Sequence, residues 1–151
     1  MVSRFELGTD GPGAIIVGVD GSETSLRAAA YAAGLARRQH TRVIVVYARS
    51  ASSLLTLADH TGLATRAAVE THDAIEEQLR TELAKQARIW GVDASLEVRR
   101  GDPLTVLTEV ARDVRADAVI VGSSQSRGHR IAGSLAVRLV RCGRWPVTVV
   151  P

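Results

Sequence analysis

One cysteine, one lysine and five aromatic residues are all this chain of 151 residues offers of three chemically versatile classes. The lone cysteine, Cys142, excludes an internal disulfide framework and any multi-cysteine metal site, and a reducing, cytoplasmic setting is expected. It reads as a small packing residue, because no basic partner can be identified for it. The lone lysine, Lys85, sits in Leu-Ala-Lys-Gln. A phosphate-binding P-loop closes on Gly-Lys-Ser or Gly-Lys-Thr, so a P-loop NTPase is excluded. A Schiff-base enzyme would have to use that same helical lysine. Aromatics at 3% leave no RNA-binding aromatic signature. No window reaches about 18 consecutive apolar residues, the length a membrane-crossing helix needs. The first residues lack a basic stretch followed by an apolar run, so no secretory signal is expected.

Catalytic signatures are also missing. There is no Gly-x-Ser-x-Gly elbow, which disfavours an α/β-hydrolase. There is no Gly-x-Gly-x-x-Gly, which disfavours an ordinary dinucleotide-binding turn. His40, His60, His72 and His129 lack metal-ligand spacing and read as surface or capping residues. What remains is 46% hydrophobic and 23% charged, the profile of one globular domain. The net charge of +3 is carried by 18 arginines. That balance reads as a solvated face, with neither a nucleic-acid nor a membrane partner expected.

Along the chain, residues 1–13 read as a flexible leader containing Gly8, Gly11, Pro12 and Gly13, and residues 14–151 as a single domain. Ala14 to Asp20 is a short, nearly continuous apolar run, the mark of a strand buried on both faces. Ser22 or Thr24 can cap a helix that ends near Gln39 and turns Leu26, Ala29, Ala30, Ala33 and Ala36 inward. Arg42 to Ala48 is a second buried strand. A long connection over 49–62, with a helical piece around Leu54 to Leu57, precedes a helix from about Ala64 to Trp90. The stripe of that helix is Ala68, Ile75, Leu79, Leu83, Ala87 and Trp90, and Gly91 stops it. Ala94 to Arg99 alternates as a third strand. Asp102 and Pro103 open a further helix, with Leu104, Leu107, Val110, Ala111 and Val114 inward. Ala116 to Gly122 is a fourth strand and Pro146 to Val150 a fifth. The helix between them carries Ala136, Leu139 and Val140 inward, and Trp145 reads as a packing anchor. Strands alternating with helical crossovers predict an α/β fold, a parallel sheet with helices on both faces.

Ligands of such sheets bind beyond the carboxyl ends of the strands, where the strand order reverses. Three segments fall there: Gly18 to Ser22, Tyr47 to Arg49, and the loop from Gly122 to Ser134. Asp20 can accept hydrogen bonds from a ribose or a base, and it is equally good turn chemistry. In the loop, backbone amides and serine hydroxyls can hold phosphate, with Arg127 and Arg130 as charge-assisted donors. The same glycines also serve an ordinary solvated loop.

Taken together, Ile15-Ile-Val-Gly-Val-Asp20-Gly-Ser22, Gly101-Asp102-Pro103, Ala116-Asp-Ala-Val-Ile-Val-Gly122-Ser123, Gly133-Ser134 and Pro146-Val-Thr-Val-Val150 resemble the universal stress protein family. They occur in the family's order and cover nearly the whole chain. The resemblance implies an open five-stranded parallel sheet of order 3-2-1-4-5, adenine nucleotide alpha hydrolase-like, with a cytoplasmic stress-response role. It usually implies dimers. It admits ATP or a related adenine nucleotide as ligand, with magnesium accompanying the nucleotide. By carry-over, Asp20 faces ribose or adenine, Ala48 contacts the base, and Gly122, Gly133 and Ser134 contact ribose and phosphate. The neighbours Gly18, Val121, Ser124, Gln125, Arg127 and Leu135 complete the expected nucleotide-binding set, with no catalytic or metal-ligating residue.

The chain departs from the nucleotide-binding pattern Gly-x2-Gly-x9-Gly-Ser/Thr. Gly122 matches the first glycine, Gln125 stands at the second, and Gly133-Ser134 closes the loop two residues early. A β-carbon at the second glycine takes space that a phosphate would use. Two function classes therefore stay open. One is a nucleotide-binding sensor or regulator. The other is a nucleotide-independent dimeric stress or adaptor protein with a vestigial pocket. A slow nucleotide hydrolase ranks behind both, because only Asp20 is an evident general base. A homodimer is expected through the last strand. That strand is short and apolar, lies at the sheet edge in the family's order, and is bounded by Pro146 and Pro151.

Overall fold

Ala14, Ile15, Ile16 and Val17 are fully buried, so the first strand has one core on each side of it. That strand is β1 (Ala14–Val19). A computed structural model, describing residues 13–50, 62–123 and 135–151, supplies four more: β2 (Arg42–Arg49), β3 (Ala94–Arg100), β4 (Ala116–Gly122) and β5 (Val147–Val150). They form one sheet in the order β3-β2-β1-β4-β5, and every neighbouring pair is parallel. The class and strand order are those expected. The connecting helices are α1 (Glu23–Gln39), α2 (Leu63–Trp90), α3 (Pro103–Asp113) and α4 (Leu135–Cys142). None of them is long and apolar enough to cross a membrane. The leader before Gly13, the piece around Leu54 to Leu57 and the loop from Ser124 to Ser134 lie outside the described residues.

The two-residue period of a strand sorts β1 between the two cores. Ile15, Val17 and Val19 meet Ala28, Ala32 and Ala36 of α1 and Leu79 of α2. Ala14 and Ile16 join Val106, Leu107, Val110 and Ala111 of α3 and Leu139 of α4. The helix boundaries follow local chemistry. The Ser22 hydroxyl accepts from the Ser25 N–H to cap α1. Asp102 caps α3 through the Thr105 N–H, with Pro103 in the first turn. Gly91 closes α2 in the left-handed conformation.

Two inward faces differ from those read off the periodicity. On α1, Leu26 and Ala30 are exposed, and Thr24, Ser25, Ala28, Ala32, Ala33 and Ala36 are buried instead. The helix is turned so that its small residues meet the sheet, and the two hydroxyls tolerate burial because both are hydrogen-bonded. On α4, Leu139 is the buried residue and Val140 is 60% exposed. The two lie about 100° apart around the helix, so only one can face the sheet. On α3, Val106 joins the expected stripe. Trp145 packs against the core beneath α3 and α4, as an anchor should.

Two backbones meet closely at the end of β4. A β-carbon on Gly122 would lie 2.6 Å from the Thr24 carbonyl carbon, 2.7 Å from its oxygen and 2.8 Å from the Ser25 nitrogen. All three are backbone atoms, so no side chain can swing away. Gly122→Ala is expected to cost on the order of 1–3 kcal/mol, the scale of an overpacked core. Urea unfolding measures it, and an unchanged midpoint would show that the two backbones can separate freely.

Candidate functional site

Strand order reverses beside β1. The chain passes from β1 to β2 on one side, and β4 lies on the other. The crossover helices diverge there and leave a cleft of about 740 Å³ beyond the carboxyl ends of the strands. Its floor and walls include Gly18, Asp20, Ala48, Val121, Gly122 and Leu135, which are six of the expected site residues. Ser124, Gln125, Arg127, Gly133 and Ser134 lie outside the described residues. The cleft therefore gathers every expected residue whose position is described.

Asp20 begins a tight turn. Its Oδ1 accepts from the Ser22 N–H at 2.9 Å, and Gly21 between them holds φ at +85°, a conformation that suits glycine. The Ser25 hydroxyl donates to the Ser22 carbonyl at 2.9 Å and accepts from the Asp20 N–H at 3.3 Å. Partial burial pushes the Asp20 carboxyl upward. Hydrogen bonds from Ser22 and Ser25 outweigh it and hold the group below the ordinary aspartate range. The side chain is thus an ionised acceptor facing solvent. A carboxylate offers about four lone-pair positions, so the turn leaves capacity for a ligand hydroxyl. The turn role and the ligand role are compatible.

The opposite wall comes from α2, and sequence reasoning missed most of it. Tyr47 is buried at the end of β2, and its hydroxyl meets Nδ1 of His72. The other ring nitrogen, Nε2, lies 3.1 Å from the Ser50 carbonyl oxygen. A carbonyl only accepts, so in the neutral ring Nε2 carries the hydrogen and Nδ1 accepts from the tyrosine. Burial raises the Tyr47 pKa; Arg49 opposes this while Glu76 and Asp20 add to it, which keeps the phenol a neutral donor. Of the four histidines, His40 terminates α1 as a capping residue should. His72 is a half-buried wall residue instead of a surface one. The signal was present: residues 68, 72, 75 and 79 step by four, three and four, which puts His72 on the apolar stripe.

Arg49 ties the same wall together, reaching Asp73 at 2.8 Å and Glu76 at 3.1 Å, while Glu76 also holds Arg80 at 2.7 Å. On the far side, Thr24 donates to the Ser123 carbonyl at 2.9 Å, and the Ser123 N–H donates to Val150 at 2.7 Å. Pro103, Leu107, Ala136 and Arg138 finish the lining. Among the described residues no group of three or more His, Cys, Asp or Glu converges to hold a metal ion. A magnesium ion here would take most of its oxygen ligands from a nucleotide's phosphates and from water.

The profile of the universal stress protein family matches residues 13–151. A universal stress protein of Methanocaldococcus jannaschii is 28% identical over 145 residues, covering 90% of this chain and 80% of that protein. A crystal structure from the same family in Burkholderia pseudomallei is 27% identical, with a TM-score of 0.70 over 92% of this chain and 96% of that one. Another universal stress protein, solved in complex with cAMP, is 23% identical, with a TM-score of 0.62 over 93% of this chain and 97% of that one.

The depressed pKa of Asp20 has a sign that can be checked. A carboxyl with a lower pKa folded than unfolded stabilises the fold above its unfolded value, about 4. That stability is lost as the pH falls through the lower folded value. Asp20→Asn is expected to be less stable than the parent at pH 7, with the difference shrinking toward pH 3. Urea midpoints across that range measure it, and a constant difference would mean the carboxylate's charge plays no part.

Proposed function

The chain belongs to the universal stress protein family, and from that premise we propose that it binds an adenine nucleotide, ATP or a related one, as a stress-response sensor or regulator. The observation that carries the reading is the cleft at the reversal of strand order, with ionised Asp20 on one wall. Its volume lies within the roughly 300–1,000 Å³ of small-molecule sites. Val46, Ala48, Ile75, Leu107 and Val121 give it an apolar lining against which a flat base can pack. Asp20 suits a neutral hydroxyl of the ribose better than a phosphate, which it would repel. The family relative crystallised with cAMP supports an adenine nucleotide as the ligand class. No residue is assigned a catalytic role, and the cytoplasm is the proposed compartment.

Calorimetry with ATP, AMP and cAMP is the test. Asp20→Ala is expected to weaken the bound nucleotide by about 1–3 kcal/mol, the scale of hydrogen bonds to a charged group. No heat and no thermal shift with any of the three at millimolar concentration would overturn the reading. The nucleotide-independent adaptor would then take its place.

We propose further that two copies of the chain pair through β5. Among the described residues this edge strand has a neighbour only in β4, and its own Val149 is 45% exposed. The Val119 and Ser123 N–H groups donate to the carbonyls of Pro146 and Val150. By strand alternation, the backbone groups of Val147 and Val149 point outward, where a two-fold partner could take them up. Thr148 faces β4, so a proline there would break the sheet itself. Val149→Pro removes an outward donor instead. Sedimentation at micromolar concentration is expected to give a dimer for the parent and a folded monomer for this variant. A monomeric parent, or a variant that stays folded and dimeric, would sink the proposal.

A further inference from the structure

Only two side chains of fixed charge line the described part of the cleft, Asp20 and Arg138. Arg138 lies on α4, about one turn in from the residue where α4 begins, and reaches across to α3. Its Nη1 is 3.3 Å from Asp102 Oδ1 and its Nη2 is 3.5 Å from Oδ2. Both contacts are long for a bond between charged groups, which usually spans about 2.7–2.9 Å. Both side chains are also nearly half exposed. An ion pair of this kind is worth at most about a fivefold factor in an equilibrium.

The two partners depend on the pair unequally. Asp102 has other work, since its Oδ2 accepts from the Thr105 N–H at 3.2 Å and from the Thr105 hydroxyl at 3.4 Å as the cap of α3. It stays satisfied if the arginine leaves. Arg138 has no second carboxylate among the described residues, and a guanidinium carries five N–H donors in a planar fork. Leaving Asp102 for a doubly charged phosphate trades a weak exposed contact for a bidentate one.

We propose that Arg138 makes this site select a phosphorylated ligand over its unphosphorylated nucleoside, and that Asp102 competes with the ligand's phosphate for it. The inference rests on the nucleotide-binding reading above and deepens it. Asp102 acts as a built-in competitor: it holds the guanidinium at the rim while the site is empty and sets a threshold that an anion must exceed. A nucleoside, having no phosphate, gains nothing by displacing it.

The test is calorimetry of the full chain with AMP and with adenosine, for the parent, Arg138→Gln, Arg138→Lys and Asp102→Asn. The parent is expected to bind AMP at least tenfold more tightly than adenosine. Arg138→Gln is expected to remove most of that preference and leave adenosine unchanged, while Arg138→Lys recovers part of it. Asp102→Asn keeps a good helix cap and is expected to tighten AMP two- to fivefold, again without moving adenosine. Thermal melts show that each variant is folded, and the lysine variant decides the matter if the glutamine variant is not. A preference for AMP over adenosine that is as large in Arg138→Gln and Arg138→Lys as in the parent, or absent from a parent that binds both, would overturn the role of Arg138 and leave the pocket reading intact. An Asp102→Asn variant no tighter for AMP would overturn the competition. A parent that binds neither ligand would end the nucleotide reading and this proposal together.

Discussion

The contact on which the rest of the structure depends is the meeting of β4 with the first turn of α1. Gly122 brings two backbones together with no room for a β-carbon, and the Thr24 hydroxyl spans the junction to the Ser123 carbonyl. The sheet is wound in two directions from β1, so its two halves are joined along β1 and β4 and need fixing where they diverge. The junction provides that fixing from outside the ladder. It also carries through to the edge, because the Ser123 N–H donates to Val150. One chain of short contacts thus runs from the cap of α1 through the end of β4 to the last strand. The cleft opens beside it, and the position of its floor follows from it.

This dependence changes the meaning of a motif residue. In the sequence, Gly122 looks like the first glycine of a phosphate loop, a position where backbone approaches ligand. In the structure, its lack of a side chain is already required by Thr24 and Ser25. Asp20 is similar: the turn through Gly21 and the cap at Ser22 explain an aspartate there without any ligand. Both residues serve the scaffold first, and the cleft lies where the scaffold places them. The matching motif therefore reports the fold more strongly than it reports a ligand.

Much of the fold was legible because its signals are local and repeated. Ala14 to Val19 is apolar on both faces, Asp102-Pro103 opens a helix by its own chemistry, and Gly91 ends one. What escaped were properties of rotation and of distance along the chain. Periodicity gives α1 an apolar stripe through Leu26, yet the helix packs on Ala28 and Ala32, because small residues let it approach the sheet and Thr24 can bond across to Ser123. Leu139 and Val140 are equally apolar, and only the three-dimensional contact decides which is covered. In the site, Asp20, Ala48 and Gly122 could be found because they end strands. Tyr47 meeting His72, and Arg138 meeting Asp102, join residues 25 and 36 positions apart, and no spacing rule links them.

The two walls of the cleft are held by different forces. The wall of α1 and β4 is backbone packed on backbone, with buried hydroxyls satisfied in place. The wall of α2 is apolar in its later half, where Leu79, Leu83 and Trp90 pack on the sheet. Nearer the cleft it is ionic and polar, through Arg49 with Asp73 and Glu76 and through His72 with Tyr47 and Ser50. The outer ends of that ion network, Asp73 and Arg80, are exposed and screened by salt, whereas at the Gly122 junction no side chain can swing aside. Any adjustment of the cleft to its contents therefore falls on α2 near His72 and on the Arg138 rim, while Asp20 and Gly122 keep their places.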